Sequence, residues 1–133
     1  MLTLGATSPA NAQVIYEAKE TQQESLNPLI KIAQAKLRSA EVLVEQQCYA
    51  GVMEILAATS LAVAAIASGQ QQVPKLEKAT VWLYSDVLPK QLMSAEQIAT
   101  IVRIIALSQN IEVPDALVQQ SLLDTQSLFA QYG

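Results

Sequence analysis

The sequence contains no histidine and a single cysteine, Cys48. The first absence removes any histidine-based acid/base pair, and with the second it removes zinc sites built from several Cys and His. One cysteine cannot form a disulfide within the chain. This fits a reducing compartment and a cytoplasmic location. Charge is also scarce: charged residues make up 15% of the chain and hydrophobic residues 51%. So high an apolar share predicts helix faces buried on more than one side, or between subunits. The net charge of −4 and pI near 4.7 make a poor binder of phosphate backbones, because the eight basic residues are spread along the chain.

Two further signals are missing. Residues 1–15, "MLTLGATSPANAQVI", lack the basic start and continuous apolar core of a secretory leader. The most apolar run, "EILAATSLAVAAIASG" at residues 54–69, holds only 13 residues between Ile55 and Ala67, and these include Thr59 and Ser60. A membrane span needs about 20, mostly more hydrophobic than alanine. The run therefore reads as a buried helix, and no membrane association is expected.

At 133 residues the chain fits one domain with a real core. Residues 1–24 are rich in Gly, Ser, Pro, Asn and Gln without a sustained period. They read as a linker or mobile arm with a short helical piece near "QVIYEAKE"; an opening cut from within a larger protein would look the same. Residues 25–133 read as an all-α, up-and-down bundle of about five helices.

In the first helix Asn27 caps and Pro28 takes the first helical position, where a missing N–H costs nothing. Leu26, Leu29/Ile30, Ala33, Leu37, Ala40 and Val44 form its stripe. "EQQCYAG" breaks the chain weakly, with Gly51 its only strong residue. The second helix then runs to Gly69, a natural C-terminal glycine. Val52, Ile55, Leu56, Val63 and Ile66 make a bulky face. Ala57, Ala58, Leu61, Ala64, Ala65 and Ser68 make a small one opposite, so this helix is wedged between neighbours. Glu54 sits near its start, where the helix dipole favours a carboxylate.

Pro74 opens the third helix and Pro89 limits it near Val87 or Leu88, with Leu76, Ala79, Leu83 and Val87 as its stripe. Ser94 and Gln97 form a capping box for the fourth, with Met93 stapling onto Ile98 and Asn110 at the end. Ile98, Ile101/Val102 and Ile105 face inward. Pro114 opens the fifth, and Leu117/Val118, Leu122, Thr125 and Phe129 carry its stripe.

Little in this pattern carries chemistry. Cys48 has no histidine to activate it and reads as a small turn or core residue. Glu41 and Glu45 are one turn apart, but no Glu-x-x-His motif faces them, so they read as a solvated face rather than a metal site. Arg103 and Glu96 read as a solvated pair of charges on the fourth helix. Trp82 and Tyr84 point to different sides of the third helix, and Trp82 reads as a core or interface anchor. There is neither a phosphate loop nor a dinucleotide fingerprint. No catalytic, metal-binding or cofactor-binding residue is expected.

Two stretches bring a family into view. "KLRSAEVLVEQQCYAGVMEILAATSLAVAAIA" resembles the first helical hairpin of domains related to the HEPN group, in which "KLxxAxxLxxxxxY", a turn and an alanine-rich helix recur. "ATVWLYSDVLPKQLMSAEQIATIVRIIALSQNIEVPDALV" is similar to the far C-terminal region of bacterial Swi/Snf-type ATP-dependent helicases. The resemblance implies a non-catalytic appendage of a nucleic-acid-dependent motor whose ATPase motifs lie elsewhere in a parent chain. HEPN ribonucleases use an Arg followed by His. This chain has no His, so that activity does not carry over and no functional residue transfers.

The expectation is a non-catalytic helical protein-interaction module, whether or not it serves as such an accessory domain. Its partner is another protein or a second copy in a homodimer, and the interface candidates are Ala58, Leu61, Ala65, Trp82 and Phe129. An alternative is a nucleic-acid-binding helical domain using Lys31, Lys36 and Arg38, joined by Lys75 and Lys78. A third is an enzyme using Glu54 or Asp86 as a lone acid/base, which would need a deep polar pocket around that residue.

Overall fold

The computed structural model describes residues 27–132. The arm at residues 1–24, its "QVIYEAKE" piece and Leu26 lie outside the described residues. Five helices follow one another: α1 (Leu29–Glu45), α2 (Val52–Ala67), α3 (Leu76–Trp82), α4 (Ala95–Ser108) and α5 (Asp115–Tyr132). A π-helical turn, Leu83–Val87, extends α3. No strand occurs among the described residues, so the chain is all-α. None of the described helices is long and apolar enough to cross a membrane.

The apolar run is the centre of the bundle. Eleven of the sixteen residues of α2 are buried and only Glu54, near its start, is exposed. It packs against α1, α4 and α5, and α5 also touches α1 and α4. Its two hydroxyl residues are accommodated locally. Thr59 Oγ1 donates to the Ile55 carbonyl at 2.7 Å and Ser60 Oγ to that of Ala57 at 3.0 Å, so neither is left unsatisfied in the core. Leu56, Leu61, Leu83, Ile98, Ile101 and Ile104 are the largest side chains the core encloses completely.

The helix ends follow from turn chemistry. Asn27 Oδ1 accepts from the Leu29 N–H at 3.0 Å, the cap read from the sequence, while its Nδ2 donates to the Gln70 carbonyl at 3.0 Å. One side chain thus starts α1 and ties it to the loop after α2. The Ser94–Gln97 capping box is present at α4 in both directions. After α2, Gly69 takes φ +72, its N–H donates to Ile66 and that of Gln70 donates to Ala65. These are the two bonds of a Schellman motif. The same pair of bonds ends α1, from Gln47 to Val44 and from Cys48 to Leu43. There the left-handed position is Gln47, at φ +59. A glutamine where glycine is usual explains why this break is faint in the sequence. Cys48 follows it, exposed in the turn.

Pro89 acts as expected, with an added detail. Having no N–H, and clashing with a carbonyl four residues back, it disfavours an α-helical turn before it. The chain widens instead: the Leu88 N–H donates to Leu83, five residues back, at 2.9 Å.

Three expectations need correction. Leu76 is 40% exposed, so the inward stripe of α3 and its π-helical turn is Ala79, Leu83 and Val87 without it. Leu117 is 42% exposed; Val118 alone turns inward from that pair, and Ser121 and Leu128 join the buried stripe of α5. Arg103 does not pair with Glu96 along α4. It reaches across to Asp124 on α5, whose other oxygen accepts from Gln120 Nε2 at 3.0 Å. The cross-helix partner wins because α5 packs against α4 and presents a carboxylate already held by its neighbour.

Two stability measurements check this packing. Ala65 is fully buried, so Ala65→Leu should overpack the core and lower stability by about 1–3 kcal/mol in denaturant unfolding. An unchanged midpoint would place that position at a yielding surface. Gln47→Gly relieves a left-handed residue and should raise stability by up to about 1 kcal/mol; destabilisation would show that the side chain contributes more than its backbone conformation costs.

Candidate functional site

Titratable side chains are absent from the core of the described residues: the buried polar residues are Asn27, Thr59, Ser60, Ser121 and Thr125. No cluster of three or more His, Cys, Asp or Glu among the described residues could hold a metal ion. Glu54 and Asp86, the lone acid/base candidates, are both exposed. Glu54 stands at the edge of an apolar groove and also lines a small pocket with Tyr49, Ser108 and Asn110.

The surface carries two grooves of interest. One, of about 670 Å³, runs between α1 and α5, lined by Lys31, Arg38 and Glu41 with Phe129 at its side. Glu41 is engaged there by Gln126, whose Nε2 donates to its Oε2 at 2.7 Å. This groove holds two members of the basic trio. Lys36 stands about 140° around α1 from Lys31 at the usual helical step. Lys31, Lys36 and Arg38 are all exposed, but they do not converge on one track, and a carboxylate sits among them.

The second groove, of about 420 Å³, lies between the first half of α2, the loop leading to α3 and the end of α4. Ala57, Ala58 and Leu61 form its floor, and Val73, Pro74 and Leu76 form one wall. The small face of α2 puts it there, since alanine leaves space that a larger residue would fill. Beyond that wall, the outer side of α3 is open, with Glu77 and Thr80 exposed among its apolar residues. Leu76 is 40% exposed, Val81 69% and Tyr84 45%. Leu76, Thr80 and Val81 fall within an arc of about 140° at the helical step, and Tyr84 continues it from the π-helical turn.

The five interface candidates divide. Leu61 and Ala65 are buried within the chain, Leu61 at the floor of the second groove; α2 spends its small face mainly on its own neighbours. Ala58 is half-buried and lines the second groove. Trp82 and Phe129 are half-buried and pack against the chain's own core. Trp82 and Tyr84 do point to different sides, the first inward and the second outward. Sequence reading missed Val73, Val81 and Tyr84 as surface apolar residues. Val81 and Tyr84 fall off the inward stripe of Ala79, Leu83 and Val87, which is their signal in the sequence, while Val73 stands in the loop before α3.

No protein-family model, no curated protein and no solved structure matches this chain.

Proposed function

We propose that this chain is a non-catalytic helical interaction module that docks a protein partner through the outer side of α3. One observation carries the reading: Leu76, Val81 and Tyr84 are exposed on one side of a helix whose inward residues, Ala79, Leu83 and Val87, already satisfy the core. An apolar patch that the fold does not need marks an interaction site more often than it marks chance. The exposed free thiol of Cys48 suits a cytoplasmic setting. The resemblance to the C-terminal region of Swi/Snf-type helicases supplies a context, in which the module is an accessory domain beside an ATPase core. The nucleic-acid alternative receives less support, because Lys31, Lys36 and Arg38 do not form one basic track.

Two measurements test the reading. A photo-reactive amino acid at Val81, in the full chain in cells, should give one discrete protein adduct, and the same group at Lys36 should not. Equal labelling at both positions, or none at either, overturns an α3 docking face. The purified chain should neither hydrolyse ATP nor cleave RNA; turnover above background that a single substitution abolishes would contradict the non-catalytic assignment.

A further inference from the structure

One line of α1 is open along most of its length. Lys31, Ala35, Arg38 and Val42 recur at alternating four- and three-residue steps, and all four are exposed. The first three line the groove of about 670 Å³ between α1 and α5, with Leu37 and Phe129. Glu41, the carboxylate lining that groove, accepts from Gln126 Nε2 at 2.7 Å. The ion pair among the described residues joins Arg103 and Asp124, so Arg38 enters none there. The start of the helix is also fixed. Asn27, one turn before Lys31, accepts from the Leu29 N–H and donates to the Gln70 carbonyl. Residues 1–26 precede it and include Glu17, Glu20 and Glu24. At the helical step read for "QVIYEAKE", these three fall within an arc of about 60°. A helix that doubles back at the Asn27–Pro28 bond runs antiparallel to α1, and residues equidistant from that bond face each other. Glu24 then meets Lys31 and Glu17 meets Arg38, both on the open line, while Glu20 falls opposite Ala35 between the two cations. Lys19 and Lys36 are equidistant too, but each stands about 140° around its helix from that line, so they do not meet. Val14 and Tyr16 lie about 80° to either side of the acidic line and bring an apolar side chain to each shoulder of the pairing.

We infer that residues 13–24 of the same chain dock as a helix in the α1–α5 groove, antiparallel to α1, with Glu24 against Lys31 and Glu17 against Arg38. The occupant is set by its tether and its charge: the segment is joined to α1 at the groove's own end, and its acids match the spacing of the cations. The charges set register and orientation, and the apolar contacts beside them supply the adhesion. Docking balances two of the three cations that a nucleic-acid face on α1 would use. It is independent of the outer side of α3.

Cysteine pairs in the full chain, with Cys48→Ser, test it. Glu17→Cys with Arg38→Cys should close a disulfide within one chain under mild oxidation. Glu17→Cys with Lys36→Cys should not, because Lys36 lies on another side of α1. Equal closure of both pairs, or closure of neither, overturns the inference. So does a disulfide joining two chains, which would put the segment of a second copy in the groove. Charge reversal checks the register without new thiols. Arg38→Glu should speed amide hydrogen exchange across residues 14–20 by about two- to tenfold, as loss of one exposed pair and gain of a repulsion require. The melting of the helices behind it should hold, since Arg38 is exposed. Adding Glu17→Arg, so that opposite charges face each other again, should return the slower exchange. Exchange indifferent to Arg38→Glu, or still fast in the combined variant, overturns the pairing.

Discussion

With eleven of its sixteen residues buried, α2 cannot lie on a surface. The bundle is arranged around it: α1, α4 and α5 each pack on it. Alanines at 57, 62, 64 and 65 are buried on it, and the side chains the core encloses completely are aliphatic rather than aromatic. That burial makes the centre intolerant of added volume. It also explains why Thr59 and Ser60 can sit there, because each returns its hydroxyl to a carbonyl of its own helix and asks nothing of a neighbour.

A chain that surrounds one helix with others must reverse direction tightly, and left-handed residues do much of that work. Gly51 and Gly69 bracket α2 at φ +79 and +72. An added Cβ at either would meet nothing within 4 Å, so backbone conformation, not space, favours glycine there. Gln47 and Gln91 hold corresponding conformations without that freedom. At Gln91 the bonds from its N–H to Leu88 and from the Leu92 N–H to Val87 repeat the pattern that ends α1 and α2. Hydrogen bonding to otherwise orphaned carbonyls offsets the conformational cost at both glutamines.

These particulars explain what could be read from the sequence. Helix number, the wedged position of α2 and the ends marked by Asn27, Gly69 and the Ser94–Gln97 box are encoded by local signals, and local signals survive into the structure. The turn after α1 was faint because its key position carries Gln rather than Gly. The Arg103 partner was missed because Asp124 lies on another helix, beyond any periodicity within α4. Leu61 and Ala65, read as interface candidates, are buried within the chain for a related reason. Apolarity predicts that a face is covered, but not whether the cover comes from the same chain.

The distribution of burial between α2 and α3 separates two jobs. On α2, side chains that hold the fold occupy nearly the whole circumference, so a change there acts first on stability. On α3 the jobs divide by side: Ala79, Leu83 and Val87 fasten the helix down, while Leu76, Val81 and Tyr84 face outward with little role in the core. The π-helical turn before Pro89 carries Tyr84 and Asp86 on a widened backbone whose bonds close five residues back. The wider turn changes the angular step between side chains, so the direction of Tyr84 depends on a proline five residues further on. A helix with its contents arranged in this way can change its binding surface while keeping its seat in the bundle, because the residues that determine the two properties are different ones.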